Sequence, residues 1–175
     1  MLRKLLICSL LLAPLTGICQ QNKQPAPAPV VAERTDYREI NAPLPPFRVV
    51  TPDGKMITPE NMKNDANLLV MFFNPTCEHC EDMTLEMEKH IYLFKKTKVL
   101  LVAGSNMASS LGDFIKALKV DQYPTLQPSL DSSKFIDKTF NYNGLPQINV
   151  YDHDRKLIRT FNSITTIDSL KAYIE

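Results

Sequence analysis

Two short apolar runs constrain the fold more than anything else in the chain. Leu68–Phe73 reads Leu-Leu-Val-Met-Phe-Phe, and Lys98–Ala103 carries Val99, Leu100, Leu101 and Val102 in succession. Neither run alternates apolar with polar residues. Each therefore predicts a strand buried on both faces, as in a parallel sheet covered by helices. Between them, Met83, Met87, Ile91 and Phe94 recur at helical spacing, which predicts a helix near Glu78–Lys96 with one apolar face. Glu78, Glu81 and Asp82 crowd its first turns and Lys95 and Lys96 its last, matching the helix dipole at both ends. Strand, helix and strand make a βαβ unit, with parallel pairing and a right-handed crossover.

The C-terminal part differs in kind. Gln147–Tyr151 and Leu157–Phe161 predict strands joined by the polar turn Asp152-His153-Asp154-Arg155, an antiparallel hairpin. A final helix from about Thr166 buries Ile167, Leu170 and Ile174. Upstream, a helix near Ser110–Lys119 carries Leu111, Phe114, Ile115 and Leu118 on one stripe, with Ser110 and Asp113 placed as a capping pair. Ahead of the βαβ unit, extended segments at Phe47–Val50 and Lys55–Thr58 flank the turn Thr51-Pro52-Asp53-Gly54. Pro59–Lys63 then predicts a short helix with Thr58 as its cap. Asp121–Asn143 predicts little beyond one extra helix around Ser132–Thr139. The expected class is α/β: a central mixed sheet, βαβ then ββα, with helices on both faces and an N-terminal β-hairpin extension.

Residues 1–19 have the layout of a secretory signal peptide. Arg3 and Lys4 precede the apolar run Leu5–Leu15, and small residues follow before Gln20. An uncut membrane anchor is the alternative, although a span needs about 20 apolar residues and this run is shorter and holds Pro14. Lipid attachment at Cys19 is another, poorly served by Ile18. Residues 20–36 form a Pro/Ala-rich linker that favours extended conformation, and residues 37–175 form the domain. Localisation is therefore expected to be extracytoplasmic, in the periplasm after signal cleavage, with a membrane-tethered form as the alternative.

Of four cysteines, Cys8 and Cys19 leave with the signal peptide, so the mature domain keeps Cys77 and Cys80. A bridge between residues so close in sequence constrains almost no loop and adds little stability, which points to chemistry instead. The stretch Phe73-Asn74-Pro75-Thr76-Cys77-Glu78-His79-Cys80 lies where the first buried strand meets its helix. Free N–H groups and the positive dipole end favour a thiolate at Cys77, the species that attacks disulfides. Cys80, one turn later, can displace a mixed disulfide. A protonated His79 would support the Cys77 thiolate, whereas Glu78, Glu81 and Asp82 oppose it by like-charge repulsion.

From Leu44 to its end the chain resembles the thioredoxin superfamily, specifically its extracytoplasmic TlpA/ResA-like branch of thiol–disulfide oxidoreductases. The run Pro45–Lys55 resembles that branch's opening hairpin, Leu69–Cys80 its strand into the CxxC helix, and Gly144-Leu145-Pro146 its cis-proline loop. The resemblance implies a thioredoxin-like fold and a cis Leu145–Pro146 bond beside Cys77. It also implies a substrate site formed by Thr76, Leu145 and Pro146, where the Leu145 backbone pairs with an extended segment. Three departures stand out. Thr76 replaces an aromatic residue, Met71 stands where a buried proton-carrying acid is usual, and His79 replaces a proline. The first two leave Glu78 or water as the base for Cys80; the third turns the redox character toward isomerases and oxidases.

The expected function is disulfide exchange with other exported proteins, as reductase or isomerase, with dithiol oxidase as the runner-up. The expected partners are extracytoplasmic thiol or disulfide proteins and a membrane electron donor, with the domain a monomer. The chain holds 20 basic and 19 acidic residues for a net charge of +1, which leaves no overall field for nucleic acid. No cofactor is expected beyond a redox-active Cys77–Cys80 disulfide, and no metal. A copper or zinc site at Cys77, His79 and Cys80 would lack further ligands, since His90 lies beside an apolar stripe and His153 in a turn. A non-catalytic module on the same fold is the remaining alternative.

Overall fold

The computed structural model describes residues 35–140 and 142–174. The signal peptide and nearly all of the linker lie outside them. The strands are β1 (Val49–Val50), β2 (Met56–Ile57), β3 (Leu68–Phe73), β4 (Lys98–Ala103), β5 (Leu126–Asp131), β6 (Gln147–Tyr151) and β7 (Leu157–Asn162). The helices are α1 (Glu78–Lys89), α2 (Ala108–Leu118), α3 (Phe135–Thr139) and α4 (Ile167–Leu170). They build a seven-stranded mixed sheet in the order β2-β1-β5-β4-β3-β6-β7. β3, β4 and β5 run parallel, while β6, β7, β1 and β2 join by antiparallel pairs.

All six residues of β3 are buried, as a strand covered on both faces requires. Alternation along the strands divides the interior in two. Leu69, Met71 and Phe73 of β3 share one core with Val99, Leu101, Ile148 and Val150, closed by residues of α1, α2 and α4. Leu68, Val70 and Phe72 share the other with Leu100, Val102, Phe47 and Val49, and with Ile136 of α3. Helices thus cover both faces, and the hairpin β1–β2 extends the sheet at the β5 edge.

The final helix is shorter than expected: α4 stops at Leu170, Lys171–Tyr173 forms a 3-10 turn, and Ile174 is only half-buried. The structure departs further from the sequence reading in three places. Helix α1 ends at Lys89, and Ile91–Leu93 tightens into a 3-10 turn. The His90 backbone N–H and its Nδ1 both meet the Glu86 carbonyl, at 3.3 and 3.0 Å, and Ile91 and Tyr92 are weaker helix formers than the residues before them. Helix α2 begins at Ala108 with Met107 as its cap, because the Met107 N–H already turns back to the Gly104 carbonyl at 3.0 Å; Ser110 and Asp113 therefore lie inside it. The third departure is strand β5, which runs through a segment expected to hold only a helix. Pro128 hides it, since proline supplies no ladder N–H. Here β1 pairs only with Leu130 and Asp131, so Pro128 lies where β5 has a single paired edge. The expected helix near Ser132–Thr139 is present as α3.

No described helix is long and apolar enough to cross a membrane.

Candidate active site

Asn74, Pro75 and Thr76 carry the chain from β3 into α1. The Asn74 side-chain oxygen accepts from the Thr76 N–H at 2.9 Å and from the Thr76 hydroxyl at 3.0 Å, the local turn that Asn-Pro sequences favour. The Cys77 N–H then closes on the Asn74 carbonyl at 3.0 Å. This delivers Cys77 to the N-cap of α1 in extended backbone, φ −98° and ψ 117°. Its carbonyl accepts from the N–H groups of Cys80 and Glu81 at 2.9 and 3.1 Å, while its side chain makes no capping bond and remains partly exposed.

One turn on, Cys80 has no exposed surface. It shares a core with Met71, Phe73 and Met83. Burial pushes its thiol up to about 12; hydrogen bonding to the Cys77 side chain adds to this, and a backbone hydrogen bond at Asn74 opposes it. Both cysteines are free thiols in this structure. Cys77 is thus partly exposed at the positive end of the helix dipole, and Cys80 is buried one turn behind it.

The sheet register brings a second loop to this place. Phe72 pairs with Gln147, so Pro146 falls beside Phe73, at the end of β3 from which the Cys77 turn departs. The Leu145–Pro146 bond is cis. Pro146 is buried, and the half-buried Leu145 packs on the same core as Cys77. Gly144 has φ +154° and lies so close to the Ser163 hydroxyl that any side chain there would collide with it. A cavity of about 140 Å³ opens beside Asn74 and Leu145, walled by Phe73, Val102, Met107 and Ile136.

Not every residue singled out in the sequence converges on the sulfurs. Thr76 is exposed and spends its polar groups on Asn74. Glu78 and His79 are exposed on the first turn of α1, and neither side chain makes a hydrogen bond among the described residues. Met71 is fully buried, so the face of β3 beneath Cys80 carries no acid at that position. Among the described residues no three His, Cys, Asp or Glu side chains gather as a metal site. Sequence reasoning missed Asn74, whose signal is the Asn-Pro pair. It also missed Glu88, a buried acid on α1 whose Oε1 has no partner; its place among the charged residues Glu86 and Lys89 concealed it.

No family model and no curated protein matches the sequence. Solved structures do match. The thioredoxin domain of a thiol–disulfide oxidoreductase from Bacteroides vulgatus superposes with a TM-score of 0.65 at 16% identity, covering 78% of this chain and 99% of that one. A candidate protein disulfide isomerase from Bacteroides thetaiotaomicron gives 0.64 at 19% identity, covering 77% of this chain and 86% of that one. A secreted Mycobacterium tuberculosis disulfide oxidoreductase, homologous to E. coli DsbE, gives 0.59 at 15% identity, covering 73% and 92%. At such identities the likeness speaks to architecture, and the architecture agrees with the element order derived above: the chain has a thioredoxin-like fold, with Cys77 and Cys80 at its first strand-to-helix junction in the parallel sheet.

Proposed function

We propose that the chain is an exported thiol–disulfide oxidoreductase that exchanges disulfides with other extracytoplasmic proteins through Cys77 and Cys80. One observation carries the reading: a partly exposed cysteine caps a helix and a fully buried one follows a turn behind it. In the reducing direction, the Cys77 thiolate attacks one sulfur of a substrate disulfide and the other sulfur leaves as a thiolate. Cys80 then gives up its proton and attacks the Cys77 sulfur. This closes the Cys77–Cys80 disulfide and releases the second substrate thiolate. Two electrons pass from protein to substrate, and the thiolates released take up protons from solvent.

The roles divide by exposure. Cys77 is the nucleophile and Cys80 the resolving thiol. Glu78 and His79, at the open rim, tune the charge around Cys77. Thr76, Leu145 and Pro146 flank the dithiol and form the substrate ledge, with the adjoining cavity receiving a side chain of the bound segment. A membrane donor of electrons would return the disulfide to the dithiol. A monomer in the periplasm, with its linker spacing it from the membrane, suits this cycle, and a signal-type leader together with secreted relatives in shape supports the location.

Insulin reduction by the full chain tests the reading. The wild type should precipitate the insulin B chain and Cys77→Ser should not; equal activity would remove Cys77 as the nucleophile. The reduction potential sets the direction. A value near thioredoxin's, about −270 mV, or near protein disulfide isomerase's, about −180 mV, fits reductase or isomerase, and one near −120 mV transfers the assignment to a dithiol oxidase.

A further inference from the structure

The three parallel strands end together: Phe73 pairs with Ala103, and Ala103 with Leu130. Ligands of open α/β sheets gather beyond such carboxyl ends, and the cavity of about 140 Å³ opens there. Phe73, Val102 and Ala103 come from the strand ends, Met107 from the β4–α2 turn, Ile136 from α3 and Leu145 from the loop before β6. Leu145 and Cys77 pack on one core. Asn74, which also lines the cavity, accepts the Cys77 N–H on its carbonyl at 3.0 Å. One turn of chain thus joins the cavity to the nucleophile.

The polar members of the lining leave little for a ligand to bond. The Asp131 carboxylate accepts from the N–H groups of Ser133 and Ile136 at 3.1 and 2.8 Å and from the Ser133 hydroxyl at 2.8 Å. The Asn74 side-chain oxygen is taken by the N–H and hydroxyl of Thr76. Asn106 is exposed, and the Tyr142 ring lies against Phe72, centroids 6.0 Å apart. No Lys, Arg or His lines the cavity, so an acidic side chain would meet no counter-charge. A basic one would meet Asp131, but at a carboxylate that already holds three hydrogen bonds, and only after losing water from its own charge. An apolar side chain meets neither penalty. Size narrows the choice: an apolar cavity of about 150 Å³ holds a benzene molecule. This one therefore suits a single side chain the size of Leu or Phe.

We infer that this cavity selects substrates in which a Leu- or Phe-sized apolar residue flanks the reacting cysteine. The inference deepens the dithiol reading and rests on it; the bonds made and broken are unchanged. A segment paired with the Leu145 backbone turns alternate side chains to one face, which lets a flanking residue enter the cavity while its cysteine meets Cys77. Symmetric disulfide-linked peptide dimers test it, because whichever sulfur is attacked then belongs to a peptide. Each dimer carries Leu, Phe, Gly, Lys or Glu at the first or second place beside the cysteine and reacts with the reduced full chain. At one of these places Leu and Phe should react at least about tenfold faster than the other three below saturation, with little change at saturation. Met107→Trp should fill the cavity and erase the preference, and Val102→Ala should enlarge it and move the preference from Leu toward Phe. Occupancy is read without exchange: benzene should raise the unfolding temperature of Cys77→Ser saturably, and should not when Met107→Trp is added. The inference falls, and the dithiol reading stands, if insulin is reduced but all five residues react within about twofold, Lys is preferred, both variants keep the preference, or benzene has no effect. No exchange with any peptide or with insulin overturns both.

Discussion

The two faces of the sheet differ sharply in what they bury. On the dithiol face the strands contribute only apolar side chains, Leu69, Met71 and Phe73 beside Leu101, Ile148 and Val150. On the opposite face β6 turns in Gln147, Asn149 and Tyr151, which form a ladder. Gln147 Nε2 donates to Asn149 Oδ1 at 3.1 Å, Asn149 Nδ2 reaches the Tyr151 hydroxyl at 3.4 Å, and the Thr160 hydroxyl donates to Asn149 at 3.1 Å. Asp131 is buried on that face too, its carboxylate accepting from Ser133 and Ile136. The buried polar side chains of β6 and the Asp131 carboxylate are thus collected behind the sheet, away from Cys80, and the buried carboxyl on the dithiol side, Glu88, lies two turns further along α1. That apolar burial is the main reason the Cys80 thiol is pushed up to about 12.

The comparison breaks most visibly if an acid is placed on the apolar face. Met71→Asp should destabilise the fold by several kcal/mol at neutral pH, because it buries an unpaired carboxylate. In the molecules that remain folded, the same carboxylate should speed closure of the Cys77–Cys80 disulfide by about 100-fold, the usual return from a positioned base. Urea unfolding and rapid-quench measurement of a preformed Cys77 mixed disulfide read the two effects. Faster closure would be absent if Cys80 already had a base. On the other face, Asn149→Leu should cost about 2 kcal/mol by leaving Gln147, Tyr151 and Thr160 short of partners. It should leave the closure rate within about twofold, since the ladder lies behind the sheet.

Acidity sharpens the same contrast. With the Cys80 thiol held up to about 12, chiefly by burial, its thiolate fraction grows about tenfold per pH unit through the neutral and mildly alkaline range. Closure of the mixed disulfide should follow that slope, and a plateau near pH 9 would contradict it. The sign for stability is the reverse. A thiol whose folded value is raised stabilises the reduced protein below the ordinary thiol range, and that contribution is lost as pH climbs through about 9 to 12. The smallest effect belongs to Glu88, whose carboxyl burial pushes up and whose Oε1 has no partner. Its raised folded value favours the folded state only while the group is protonated, so the benefit disappears as pH rises above the usual carboxyl range. Glu88→Gln should therefore raise stability at pH 7 by about 1 kcal/mol and do little at pH 4.

How much of this was legible depended on whether a residue's role is local. β3 and β4 could be read to the residue because a strand buried on both faces leaves an unbroken apolar run. The start of the last helix near Thr166 was legible from its apolar spacing, and the structure adds the cap: the Thr166 hydroxyl accepts from the Ser169 N–H at 3.3 Å. The placement of Cys77 and Cys80 at a strand-to-helix junction was legible from spacing, and the cis Leu145–Pro146 bond from resemblance to a known loop. β5 was not, because its pairing partners are far away in sequence and Pro128 contradicts the local pattern. Nor was Arg155. Nothing in Asp-His-Asp-Arg says that the last residue is buried, since its acceptors at Met62, Asn64 and Ala66 belong to another segment. The apolar surroundings of Cys80 lie between these extremes: Met71 was visible in the sequence, but that the polar residues face the other way is a property of sheet register.

The most direct test is to equilibrate the full chain in glutathione buffers of graded potential, trap the thiols by alkylation and weigh the products. Cys77 and Cys80 should pass together from two alkylated thiols to one internal disulfide, in a single two-electron step centred between about −270 and −180 mV. Two thiols that stay alkylated at every potential, or a reaction that halts at glutathione on Cys77 with Cys80 still free, would contradict the account.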